Sequence, residues 1–206
     1  MAILWDERVG LRPFDEPLSA EEIARLYRWS RDEQLLRWSG GVPTDLSLAE
    51  FSERLRQDQR AVQEHRRVFF ILTRERQLIG RIGIFAIDWT RGEGELGIVI
   101  GETSEWGKGY GRAAIRLLLH YAFGTLRLGR MYLFTYPENT RAQRCFAACG
   151  FRSRGAAQRF SIERGEHIAI EMEITRRDFQ SQRAPHLFTA QQCSGVVSSC
   201  WGLSRF

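Results

Sequence analysis

No segment of the 206-residue chain is apolar over the length of a membrane span, and Asp6 and Glu7 interrupt the N-terminal stretch that a signal peptide would need. A cytoplasmic location without membrane association is expected. The four cysteines (Cys145, Cys149, Cys193 and Cys200) form no paired C-x-x-C motif, and none of His65, His120, His167 and His186 stands three or four residues from a second ligand in a metal pattern. No metal site is expected. Cys145 and Cys149 read as small packing residues on one face of a helix. Segregated charge is missing as well. The 30 Lys and Arg and 25 Asp and Glu are interspersed, for a net charge of +5, which suits a small anionic ligand better than a nucleic acid. Trp5, Trp29, Trp38 and Trp89 are spread over separate elements, as packing residues rather than a base-stacking platform. No internal repeat appears.

What is present, 43% hydrophobic and 27% charged residues, fits one globular domain. After a strand near Val9 to Arg12, Ser19 with Glu22 forms a capping box that opens a helix. A shorter helix from Asp32 to Trp38 stops at Gly40 and Gly41, and a second box, Ser47 with Glu50, opens a helix to about Glu64. Val68 to Thr73 and Leu78 to Trp89 form a hairpin, and Glu95 to Ile100 adds a third strand with Leu96, Ile98 and Ile100 on one face. Gly101 to Lys108 is a loop, and a helix with the stripe Ile115, Leu118, Leu119 and Ala122 starts at Gly109. A strand from Arg130 to Tyr136 follows, ended by Pro137, then a helix from Thr140 to Cys149 and a hairpin from Arg154 to Ile174 around Arg164 and Gly165. The strand, helix, strand order demands one parallel pair in an otherwise antiparallel sheet. The fold expected is therefore α/β (α+β), with a mixed, mostly antiparallel central sheet flanked by helices. From Gln180 to Phe206 only Arg183 and Arg205 are charged, so residues 1–179 are expected to form the domain and residues 180–206 a tail, either disordered or a docking segment.

Trp106, Gly107, Lys108, Gly109, Tyr110, Gly111 and Arg112 lie between a strand and a helix, where free backbone N–H groups make an anion site. Three glycines let a diphosphate approach the backbone, and Lys108 and Arg112 add positive charge. Gly109 after Lys108 departs from Walker A, and G-x-G-x-x-R lacks the third small residue of the dinucleotide fingerprint. On these residues alone, a loop that merely turns the chain is the competing reading.

Three pieces taken together resemble the GNAT superfamily, in the branch of ribosomal-protein N-terminal and polyamine acetyltransferases. Glu95 to Ile100 is similar to the family's cofactor-lining strand, Trp106 to Arg112 to its phosphate-binding loop, and Asn139 to Phe151 to its N-x-x-[SA]…G-F segment. The resemblance runs from Arg8 to Phe179, and Trp106 stands where the general pattern has Gln or Arg. It implies an acetyl-CoA-dependent N-acetyltransferase acting on a primary amine, either a protein N-terminus or a small amine such as a polyamine. A homodimer is the oligomer considered. In that frame the backbone from Gly107 to Arg112 holds the pyrophosphate, Ile98, Val99 and Ile100 line the pantetheine arm, and Asn139 contacts the cofactor or caps the helix at Thr140.

The acceptor amine is mostly protonated at neutral pH and needs a base. By the resemblance this is Glu95, whose alternative is a solvent-facing carboxylate beside a turn. Phe146 and Ala142 occupy positions where relatives carry tyrosine and serine, so Tyr136 is the candidate acid, unless the thiolate leaves unaided. Their absence also leaves open a catalytically silent acyl-CoA-binding sensor. Residues Ser30 to Val42 are expected to wall one pocket.

Overall fold

Ser19 and Ser47 each open a helix as their spacing predicts. The Ser19 side chain accepts from the Glu22 N–H while the Glu22 carboxylate accepts from the Ser19 N–H, and Ser47 and Glu50 do the same. Helix α1 (Ala20–Trp29) and helix α3 (Leu48–Arg60) follow these boxes. Between them α2 (Glu33–Ser39) is capped by Asp32 and ends on Gly40 at φ +73°, a left-handed conformation that favours glycine. Helix α3 stops short of Glu64 because Ala61 is extended. The computed structural model describes residues 3–61, 64–161 and 164–182; most of the tail expected from residue 180, residues 183–206, lies outside the described residues.

Eight strands form one sheet: β1 (Leu4–Trp5), β2 (Val9–Pro13), β3 (Arg67–Thr73), β4 (Leu78–Asp88), β5 (Glu93–Ile100), β6 (Arg130–Thr135), β7 (Arg152–Ser161) and β8 (Gly165–Thr175). Their order is β1-β2-β3-β4-β5-β6-β8-β7, and only β5 and β6 run parallel. This is the mixed, mostly antiparallel sheet the sequence implies. The crossover between the parallel strands is α4 (Tyr110–His120), and α5 (Thr140–Ala147) and α6 (Arg176–Ser181) follow β6 and β8. Strand alternation divides the core. Ile82, Ile84, Met131 and Leu133 meet Ile115, Leu118 and Leu119 of α4 on one face. Phe70, Leu72 and Leu78 meet Leu26, Trp29 and Leu55 of α1 and α3 on the other. Each fully buried large aliphatic contributes roughly 1.5–3 kcal/mol.

The parallel seam is short. Glu93, Gly94 and Glu95 pair with Arg130, Met131 and Tyr132, and beyond them β5 and β6 no longer pair. A bulge in β4 around Ala86, at φ +46°, falls opposite this point and bends the strand next to Glu95. At the closed end the Arg130 guanidinium donates to Glu93 of β5 at 3.0 Å and to Glu171 and Glu173 of β8 at 2.7 Å each. Four features are not visible in the sequence pattern: β1, a 3-10 turn at Thr103–Glu105, α6, and a π turn at Tyr121–Thr125. The π turn buries Tyr121 and Phe123, and Phe179 of α6 packs its ring against Phe123 and His120.

Candidate active site

Where β5 and β6 stop pairing, two cavities meet. The first, of about 310 Å³, lies between β5, the start of α4, α5 and α2. Its lining includes Ile98, Val99 and Ile100, the turn residues Gly107, Gly109, Tyr110, Gly111 and Arg112, and Asn139. Of the residues expected to hold the cofactor, only Lys108 is absent from this wall. Its Nζ pairs with Glu105 at 3.0 Å, and its carbonyl accepts from Arg8 at 3.2 Å.

The turn is shaped by backbone. Gly107 and Gly109 have φ of +80° and +88°, and a Cβ on Gly107 would meet nothing within 4 Å. The first N–H groups of α4, at Tyr110, Gly111 and Arg112, have no helical acceptor, and no side chain caps them. Open space over uncapped amides, with Arg112 beside them, fits the diphosphate of CoA. Trp106 stabilises the turn by donating its indole N–H to the Ile100 carbonyl at 2.8 Å, and the Arg141 guanidinium stacks on its ring at 3.6 Å. The Asn139 side chain accepts from the Ala142 N–H at 3.1 Å, so it caps α5 and also lines both cavities. Past Glu95, the edge of β5 that faces β6 offers unpaired backbone groups.

Cys145 of α5 lies at the cavity wall, and Cys149, just past the end of that helix, is buried. A hydrogen bond from the Cys149 thiol pulls the Cys145 thiol down from its ordinary value against burial, with help from Arg112 and Arg141, while the same bond and burial push Cys149 up.

The second cavity, of about 330 Å³, spreads over β4, β5, the end of β6 and the β7–β8 hairpin, and contains Glu95 and Tyr136. Burial pushes the Glu95 carboxyl above its ordinary value, opposed by Arg159, whose guanidinium stands 3.3 Å away. Arg159 also stacks on Phe134 at 4.0 Å. Tyr136 is buried just beyond the end of β6, with the Arg164 guanidinium over its ring at 3.7 Å and His167 at 5.2 Å. Trp38, Ser39, Ile98, Val99, Asn139, Ala142 and Phe146 belong to both cavities, so the two share one wall. Trp38 and Ser39 fall in the Ser30 to Val42 stretch expected to wall a pocket. Sequence reasoning missed Arg81, Arg141 and Arg159, which carry no local motif and arrive through strand register and the helix after β6.

The family model of the acetyltransferase (GNAT) domain matches residues 8–152. An uncharacterized N-acetyltransferase, p20, of Bacillus licheniformis is 26% identical over 181 residues, covering 87% of this chain and 99% of the relative. The spermidine N(1)-acetyltransferase of Vibrio cholerae is 32% identical over 89 residues, 43% of this chain and 51% of that protein. Among solved structures, a Vibrio cholerae spermidine N-acetyltransferase in complex with CoA and spermine superposes with a TM-score of 0.71 at 22% identity, covering 85% of this chain and 99% of that one. With the family match spanning most of the chain, the protein belongs to the GNAT acetyltransferase family.

Proposed function

We propose that the protein transfers the acetyl group of acetyl-CoA to a primary amine by direct attack on the thioester. The observation that carries this reading is the shared wall at the open end of the β5–β6 seam. One cavity there offers uncapped amides to a diphosphate, and the other offers a carboxylate whose proton affinity burial has raised.

The amides of Gly107 to Arg112 bind the pyrophosphate, with Arg112 adding charge. Ile98, Val99 and Ile100 present β5 backbone to the pantetheine amides, as an added strand would be paired, and the Asn139 amide supplies a further contact. Lys108 contributes through its backbone N–H. Glu95 takes a proton from the ammonium, directly or through one water, and a carboxyl raised by burial accepts it more readily than a solvated one. The amine nitrogen then bonds to the acetyl carbon, the carbon–sulfur bond breaks, and the nitrogen gives up its second proton to solvent. Tyr136 is the phenol of the second cavity, and it returns a proton to the departing sulfur.

The test is release of free CoA thiol on incubation with acetyl-CoA and a panel of amines, beside direct measurement of acetyl-CoA binding. Turnover with at least one amine is expected. Tight binding with no turnover on any amine would instead establish the silent sensor that Phe146 and Ala142 leave open, and no binding would refute both.

A further inference from the structure

The second cavity has the wrong charge for a polycation. Among the described residues its wall carries one carboxylate, Glu95, against two guanidiniums, Arg81 and Arg159. Glu95 is already paired with Arg159. On the open sheet face leading away from the cavity, the strand glutamates are already held by arginines. Glu93 is held by Arg91 and Arg130, Glu171 by Arg130, and Glu173 by Arg130 and Arg154. An acceptor bearing several ammonium groups would have to displace arginines to find a partner, leaving partly exposed guanidiniums unpaired.

Arg81 is the unusual member. It sits in the interior of β4, opposite Phe70 of β3 and Val99 of β5, on the face that also carries the small or apolar Gly83 and Phe85. Its side chain is exposed, and among the described residues it makes no ion pair and no hydrogen bond. Asp58 is the carboxylate whose field reaches it, but Asp58 is bonded to Arg66. Surrounding protein disfavours the Arg81 charge, yet a guanidinium remains protonated at neutral pH. An exposed guanidinium on the cavity wall that no carboxylate of the described residues holds can receive an anion supplied from outside.

We propose that the acceptor is a primary amine carrying a carboxylate several bonds from its nitrogen, with Arg81 as the residue that receives the carboxylate. This rests on the second cavity being the acceptor site. The spacing follows from register. Arg81 lies opposite Val99, and Glu95 stands four residues earlier on the same face of β5, so their Cα atoms are roughly 13 Å apart along the strand. An amine presented at Glu95 therefore reaches Arg81 with a distal carboxylate and not with the α-carboxylate of an amino acid. A planar fork of donors suits a carboxylate bidentately.

Matched acceptors test this. ε-Aminocaproate and its amide differ only in the distal charge, and serinyl-aspartate amide and serinyl-asparagine amide repeat the contrast on a peptide N-terminus, so the two pairs separate a small acid from a peptide as its source. The carboxylate member of at least one pair is expected to exceed its neutral partner about tenfold or more in kcat/KM, through KM, and to exceed spermidine. Arg81→Gln should bring that ratio close to one and Arg81→Lys should restore part of it, with CoA affinity and thermal midpoint reporting that each variant is folded. Equal rates within both pairs, spermidine outrunning every carboxylate, or a ratio untouched by Arg81→Gln would overturn the proposal. Binding of the same pairs to CoA-saturated protein, followed by tryptophan fluorescence, gives the ratio without turnover. A protein that acetylates nothing would thus refute the transferase reading while the binding ratio still decides the role of Arg81.

Discussion

The two cavities are built from different materials. The first takes its character from backbone: uncapped amides at the start of α4, two left-handed glycines, and the unpaired edge of β5. The second takes its character from side chains on four strands, Arg81 of β4, Glu95 of β5, Phe134 of β6 and Arg159 of β7. Backbone geometry tolerates side-chain exchange as long as the chain can follow its path, so the first cavity can keep one ligand across a family. Side chains are replaced one at a time, so the second can change its ligand without disturbing the fold.

Substitutions should separate the two. Gly109→Glu should have the largest effect, because it forces a side chain into the left-handed cap and places a carboxylate beside the diphosphate. Acetyl-CoA affinity should drop more than about a hundredfold by calorimetry, two charged contacts being lost or reversed. Glu95→Gln should cut kcat by about 10²–10⁴ while the Kd for CoA stays unchanged, and a loss of CoA affinity instead would place Glu95 in the first cavity.

Arg159→Gln should act on pH dependence. With Glu95 as the proposed base, acting deprotonated, kcat/KM should fall as pH drops through the Glu95 pKa. Burial holds that pKa above the usual carboxylate value and Arg159 pulls it down, so removing Arg159 should move the acid limb to higher pH. A limb that stays put or moves lower would dissociate the pair. Lys108→Ala should be the mildest. Its ammonium is largely exposed and committed to Glu105, so CoA affinity should change less than about fivefold. A large loss would show that the first cavity relies on side-chain charge after all.

The legibility of the two cavities in the sequence follows the same division. The turn at Gly107 to Arg112, both capping boxes and the parallel crossover are local patterns, and the residues forming them are close in the chain. Glu95 and Asn139 became candidates through the family resemblance, by their spacing to those patterns. Arg81 and Arg159 stand far apart in sequence, and each looks like an ordinary strand arginine until register sets Arg81 against Val99 and the β7–β8 hairpin brings Arg159 to Glu95. The bulge at Ala86 and the π turn after α4 depend on packing against distant residues, so neither has a composition signal.

Arg130 touches neither cavity, yet its bonds to Glu93, Glu171 and Glu173 hold three strands together where the parallel seam closes. The two halves of the sheet are thus joined like tongs pinned at one end, and the working gap lies at the other. The strands stop pairing beyond that pin, so the gap where the two cavities meet begins at an arginine that lines neither of them.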